Sequence, residues 1–258
     1  NNFQKITTLA HFQEMAGGYF IMNGDGKSAI PHYSEAQNIL EKDAPNSKRL
    51  INVYMYLAYA HNFNSKNDSS IFFMQKCVDH AQLTKDTVKL VSAMVGLNTL
   101  YSTDGNDSKA IEILLKTKKI VENSEIVKDE MYYIHDDLIH LYINNKDYLK
   151  AEKELQKIIP KYRAEKESIE NKATTMWSYY LSYSKLTGKT NRYRESMEYI
   201  DSTYVYAPYL NDFSKLITDL RRTGINVNLK NYELAYTQIQ DLIAKTKKTG
   251  QGDAFNAA

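Results

Sequence analysis

A chain of 258 residues exceeds the usual size of one domain, yet its 43% hydrophobic and 25% charged residues are those of an ordinary folded protein. Ten glycines and four prolines are too few for the many tight turns of a β-sandwich or barrel. A net charge of +2 supplies no strong field for nucleic acid or an anionic membrane, and the single Cys77 excludes an intrachain disulfide or a multi-cysteine metal site.

Taken in chain order, one pattern recurs. Small and apolar residues spaced 0, +4 and +7 lie on one stripe of a helix. The first unit, 3–43, carries Ala29, Tyr33 and Ala36 in its second helix (helix B). Phe20 stands nine residues before the small residue and Ala16 thirteen before, both in the first helix (helix A). Gly24-Asp25-Gly26 breaks the unit, with Ser28 expected as N-cap and Pro31 in the first turn. After Pro45-Asn46-Ser47 the second unit, 46–83, repeats the pattern with Leu57, His61, then Ser70, Met74 and Cys77. The third, 85–123, has Leu97, Tyr101, then Ala110, Leu114 and Thr117; the fourth, 126–164, has Leu138, Tyr142, then Ala151, Leu155 and Ile158. Pro160 is expected to kink or stop the fourth unit's helix B. In the fifth, 167–206, Thr187 replaces the ring ahead of Ser196, Ile200 and Thr203. In the sixth, 209–248, Arg222 and Asn226 occupy the packing positions before Ala235, Ile239 and Leu242, so a shifted register is expected there.

The spacings between small residues, 41, 40, 41, 45 and 39, define six helix pairs. The small residue lets helix B approach helix A closely, and the ring fills the space beside that contact. Tyr148, Tyr193 and Tyr232 each stand three residues before it. This pattern resembles the tetratricopeptide repeat, whose helix A carries an aromatic and whose helix B carries Ala, an aromatic and Ala. The period of about 40 exceeds the family's 34 and is explained by longer helices. The resemblance implies an all-α fold, a right-handed α-α superhelix of about six helix pairs forming one domain over 1–249. Residues 250–258 read as a linker or trimmed tail.

Chemistry is scarce in the sequence. His135 and His140 are five apart and point to different faces, while Asp136 and His140 supply two metal ligands where a tight site needs three or four. Asp136-Asp137 and Asp129-Glu130 read as solvated helix faces, and Cys77 as a buried, inert thiol. No phosphate loop or nucleophile elbow occurs, so no catalytic residue, metal or cofactor is expected. Lys245-Thr246-Lys247-Lys248 reads as a cationic helix C-terminus, not a nucleic-acid stripe.

In stacked helix pairs the A helices line the concave face, so their residues not used for packing are the candidate ligand contacts. These are Asn52, Tyr59 and Asn62 in the second unit, Thr99 in the third, and Tyr133, Asp136, His140 and Asn144 in the fourth. Ser178 and Lys185 belong to the fifth. Met55 and Val95 are placed in the same lining. It is mildly polar with aromatics, suited to a protein or peptide, or to a small ligand. Glu14, Gly18 and Tyr56 stand where the family's carboxylate clamp would need cations. The tyrosine- and lysine-rich repeats are further similar to the N-terminal sensor regions of membrane-bound regulators of Bacteroides-type bacteria, and Gln251-Gly252-Asp253-Ala254-Phe255-Asn256-Ala257 to the linker after them. That resemblance implies a non-catalytic, periplasmic sensor tied to the membrane only by a downstream helix. The alternative is a soluble, cytoplasmic scaffold.

Overall fold

The computed structural model describes the backbone of residues 2–249 and the side chains of residues 8–246. The tail expected over 250–258, including the linker-like Gln251–Ala257 segment, lies outside the described residues, as do the side chains of Lys247 and Lys248. The described chain is all-α. The A helices are α1 (Asn2–Met22), α3 (Arg49–Phe63), α5 (Thr87–Thr103), α7 (Met131–Asn144), α9 (Ile169–Lys189) and α11 (Asp212–Asn228). The B helices are α2 (Gly26–Asp43), α4 (Asn67–Leu83), α6 (Asp107–Glu122), α8 (Tyr148–Ala164), α10 (Tyr193–Thr203) and α12 (Tyr232–Thr249). They form two compact units, one reaching to Ile134 and one beginning at His135, and each is described by itself.

Every B helix begins three residues before its small residue, from Gly26 before Ala29 to Tyr232 before Ala235. All six small residues are buried. The register therefore does not shift in the sixth repeat. Asn226 stays at the ring position, buried, and its Nδ2 donates to Gln238 Oε1 at 3.0 Å. A hydrogen-bonded amide pair does there what an apolar ring does in the first repeats, which satisfies both polar groups at the price of a looser contact.

The A-to-B turn is also identical six times. The residue five before the small one lies in the left-handed region: Gly24, Ser65, Gly105, Lys146, Asn191 and Lys230, with φ between 53° and 75°. Behind it the next amide reaches back to the carbonyl nine before the small residue, as in Asp25 N to Phe20 O at 2.9 Å and Asn231 N to Asn226 O at 2.9 Å. This is the Schellman closure, which favours glycine because a Cβ at positive φ meets the backbone. Four of the six sites lack glycine. Lys146→Gly and Lys230→Gly are each expected to raise unfolding free energy by about 1 kcal/mol, and Gly105→Ala to lower it by about as much. Urea unfolding of the three variants checks both signs.

Two boundaries differ from the sequence reading. Asp25, not Ser28, caps α2, its Oδ1 accepting from Ser28 N at 2.9 Å, so Pro31 lies in the second turn, not the first. Of the two outcomes expected at Pro160, a stop does not occur; α8 continues to Ala164, where the buried stripe Ala151, Leu155, Ile158 and Ile159 outweighs one lost backbone bond. The core of the first unit is built from Ala29, Tyr33, Leu40, Leu57, Met74 and Leu97, all buried.

Candidate functional site

In the unit reaching to Ile134, the A-helix face is aromatic. Tyr56 and Tyr59 stand one turn apart on α3, their rings edge to face at 6.2 Å. Tyr56 also stacks on the buried Tyr33 at 5.2 Å, which holds its ring in place. Phe63 continues the stripe on α3, and Met15 and Met22 stand exposed on α1. Five apolar side chains thus face solvent with rigid support beneath two of them. Burial pushes the Tyr59 phenol above its ordinary value, consistent with a ring half sunk in this surface. At one edge, Arg49 Nε donates to Glu14 Oε1 at 2.9 Å, joining α3 to α1.

Of the predicted contacts in this unit, Tyr59, Asn62, Thr99 and Tyr133 are exposed and Asn52 is half-buried. Thr99 donates its hydroxyl to Val95 O at 3.1 Å. Met55, placed in the lining from sequence, instead packs against the core, and its neighbour Tyr56 takes the exposed place. The exposed row therefore lies fourteen, eleven and seven residues before the small residue. Tyr56 was missed because a one-residue choice decides which of two adjacent side chains, Met55 or Tyr56, faces out, whereas Phe63 stands exposed beside the equally exposed Asn62.

In the unit beginning at His135, the face is polar and cross-linked. Asp136 Oδ1 accepts from Ser178 Oγ at 2.7 Å, and His140 Nε2 lies 3.0 Å from Ser182 Oγ. Both pairs are separated by 42 residues and tie α7 to α9. Asp136 is therefore a half-buried structural acceptor, not a solvated acid. His135 is buried and points elsewhere, its Nδ1 2.8 Å from Glu154 Oε2 on α8. Asn144 is exposed, and Lys185 is half-buried. Burial, then the charges of Lys189 and Arg221, lower the Lys185 ammonium below its usual value. Arg221 reaches from α11 to Ser184 O at 2.8 Å.

Between α10, α11 and α12 lies a cavity of about 530 Å³. Asp219, Arg222, Asn226, Gln238, Asp241 and Leu242 line it. It opens where the amide pair stands in place of the ring pairs of earlier repeats, such as His61 on Phe73 at 5.3 Å. Two ion pairs stand at it, Arg222 with Asp201 at 3.1 Å and Lys245 with Asp219 at 3.1 Å.

Cys77 is buried, its Sγ 3.2 Å from Ile51 O, and burial pushes the thiol up to about 12. A thiol so held is not a nucleophile. Among the described residues no group of three or more His, Cys, Asp and Glu is placed to hold a metal ion. No helix among them is long and apolar enough to cross a membrane.

No protein-family model and no curated protein sequence matches the chain. Solved structures do. A tetratricopeptide repeat protein from Parabacteroides merdae aligns over 92% of this chain and 80% of its own, at 16% identity and a TM-score of 0.68. RapI in its apo form aligns over 93% and 64%, at 15% identity and a TM-score of 0.75. The quorum sensor NprR from B. thuringiensis aligns over 96% and 67%, at 15% identity and 0.68, and NprR has also been solved with its cognate peptide NprX. The fold is a tetratricopeptide-type α-α solenoid. At these identities the likeness concerns the fold alone.

Proposed function

We propose that this chain is a non-catalytic peptide- or protein-binding module whose contact surface is the A-helix face of its first unit. The observation that carries the reading is the exposed aromatic cluster of Tyr56, Tyr59 and Phe63, flanked by Met15 and Met22. Rigid aromatics lose little entropy on binding, and methionines adapt to varied apolar side chains. An extended peptide with spaced apolar residues suits such a stripe. NprR, of similar fold, takes a peptide. Room for a small polar ligand lies in the cavity of the sixth repeat.

In the finer reading the module is the extracytoplasmic sensor of a membrane-bound regulator with a histidine-kinase or DNA-binding output. The repeat resemblance supports this, and an apolar run of about 20 residues encoded soon after position 258 is the expected finding. A stop codon there would favour the soluble scaffold.

The binding test uses a random dodecapeptide phage library selected on the folded chain. Enriched peptides are expected to carry spaced apolar residues and to lose at least tenfold in affinity for Tyr56→Ser/Tyr59→Ser/Phe63→Ser, but not for His140→Ala. Equal binding by the triple variant would remove the aromatic face from consideration.

A further inference from the structure

A cation withdrawn from water costs stability unless a counter-charge or carbonyl answers it. In the unit beginning at His135 the half-buried Arg192 pairs with Glu152 at 2.8 Å and Glu195 at 3.2 Å, and the half-buried Arg222 with Asp201 at 3.1 Å. The buried Lys172 ammonium donates to the carbonyls of Arg163 and Glu165. Lys185 on α9 and Arg221 on α11 are also half-buried, and Lys189 stands exposed one turn after Lys185. Among the described residues no carboxylate pairs with any of these three.

The three are gathered at one place. Arg221 Nη2 donates to Ser184 O at 2.8 Å, and Nε lies 3.5 Å from Ser184 Oγ. The guanidinium lies over Gly188, where an added Cβ would collide with Nη2 and come within 3.4 Å of Cζ. Lys185 and Lys189 directly follow Ser184 and Gly188, which sets both lysines beside the fork. Burial, then the charges of Lys189 and Arg221, lower the Lys185 ammonium, as happens when like charges share a site. A Cβ added at Gly224, one turn after Arg221, would meet nothing within 4 Å, so the fork borders open space. Nη1 has no partner among the described residues and is left for a ligand.

We propose that Arg221, Lys185 and Lys189 form a subsite for a dianionic oxyanion, the phosphoryl or sulfuryl group of a small ligand. Three cations, one of them a planar fork with free donors, match an anion that carries three terminal oxygens and two charges. A carboxylate offers two oxygens and one charge, and would leave most of the positive charge unanswered. Gly188 has a part in this arrangement, because only a residue without a side chain lets the guanidinium settle against α9. The subsite lies on α9 and α11, apart from the aromatic face of the first unit, and stands or falls independently of it.

Isothermal titration of the whole chain with sulfate, inorganic phosphate and acetate, at low and matched ionic strength, tests the assignment. Sulfate and phosphate are expected to bind about tenfold tighter than acetate, or better. Lys185→Gln/Lys189→Gln leaves Arg221 and its bond to Ser184 in place, so it should fold as the wild type does while losing about tenfold in sulfate affinity. Gly188→Ala keeps all three charges and displaces only the fork. It should weaken sulfate severalfold, which a diffuse positive surface would not show. Lys157→Gln, at an exposed lysine of α8, should change nothing. Phenyl phosphate in the same series separates an ester ligand, bound tighter than inorganic phosphate, from a free anion, bound no better. A wild-type chain that takes up neither dianion would overturn the assignment. So would acetate binding as tightly as sulfate, or sulfate affinity unchanged in the double variant or in Gly188→Ala.

Discussion

Raising the pH above about 10 is expected to unfold the chain cooperatively, because its core is built on neutral tyrosines. Tyr33, Tyr54 and Tyr179 are buried, and burial pushes each phenol above its ordinary value. For Tyr54 a second cause acts in the same direction, the hydroxyl donating to Glu41 Oε1 at 2.7 Å. The folded state therefore keeps three protons at a pH where the unfolded chain has released them. Stability is complete below the ordinary phenol value and is lost as the pH rises above it. Each such group removes about 1.4 kcal/mol per pH unit, so the three together remove about 4 kcal/mol per unit. Against a typical total of about 5–15 kcal/mol, about one to four units suffice. Tyr204, half-buried and pushed up to about 12, adds in the same sense, as does Cys77. Phenolate absorbance and far-ultraviolet circular dichroism, followed on one titration, check this. A first phase should leave the helices intact, and a steep second phase should coincide with helix loss. A smooth titration of all 21 tyrosines with helix content unchanged would sink it.

The same tyrosines show how far the sequence could be read. The offsets of Leu57, His61 and Ser70, or of Leu138, Tyr142 and Ala151, are set by helix geometry and close packing, and the structure keeps them in all six repeats. The sixth repeat misled because Asn226 is polar. Only its partner Gln238, twelve residues on in α12, makes burial tolerable. The left-handed turn residues were hidden for a related reason: Lys146 and Lys230 carry no glycine signature, and two backbone bonds impose the conformation on them. At the candidate site, Tyr59 was legible as an exposed A-helix residue. The pairs Asp136–Ser178 and His140–Ser182 were not, since a 42-residue offset across neighbouring repeats depends on how helices stack and not on any single helix.

Tyr33→Ala is expected to be the most damaging single change in the first unit. The ring fills the space over Gly17, where an added Cβ would come within 2.6–2.9 Å of it, and stacks on Tyr56. Removing a buried aromatic of this kind costs about 3–5 kcal/mol, through lost burial and the cavity left behind. Repeats contact mainly their neighbours, so the loss should be local. Amides of α1, α2 and α3 should exchange much faster in the variant, while those of α9 to α12 keep their rates. Uniform acceleration along the chain would contradict this. The binding face should suffer as well, because Tyr56 loses the ring beneath it. Tyr33→Phe separates packing from ionisation. The hydroxyl makes no hydrogen bond among the described residues, so this variant should cost less than about 1 kcal/mol. It should also retain peptide binding and remove one of the three protons that drive alkaline unfolding, making the loss of stability above pH 10 shallower by about a third.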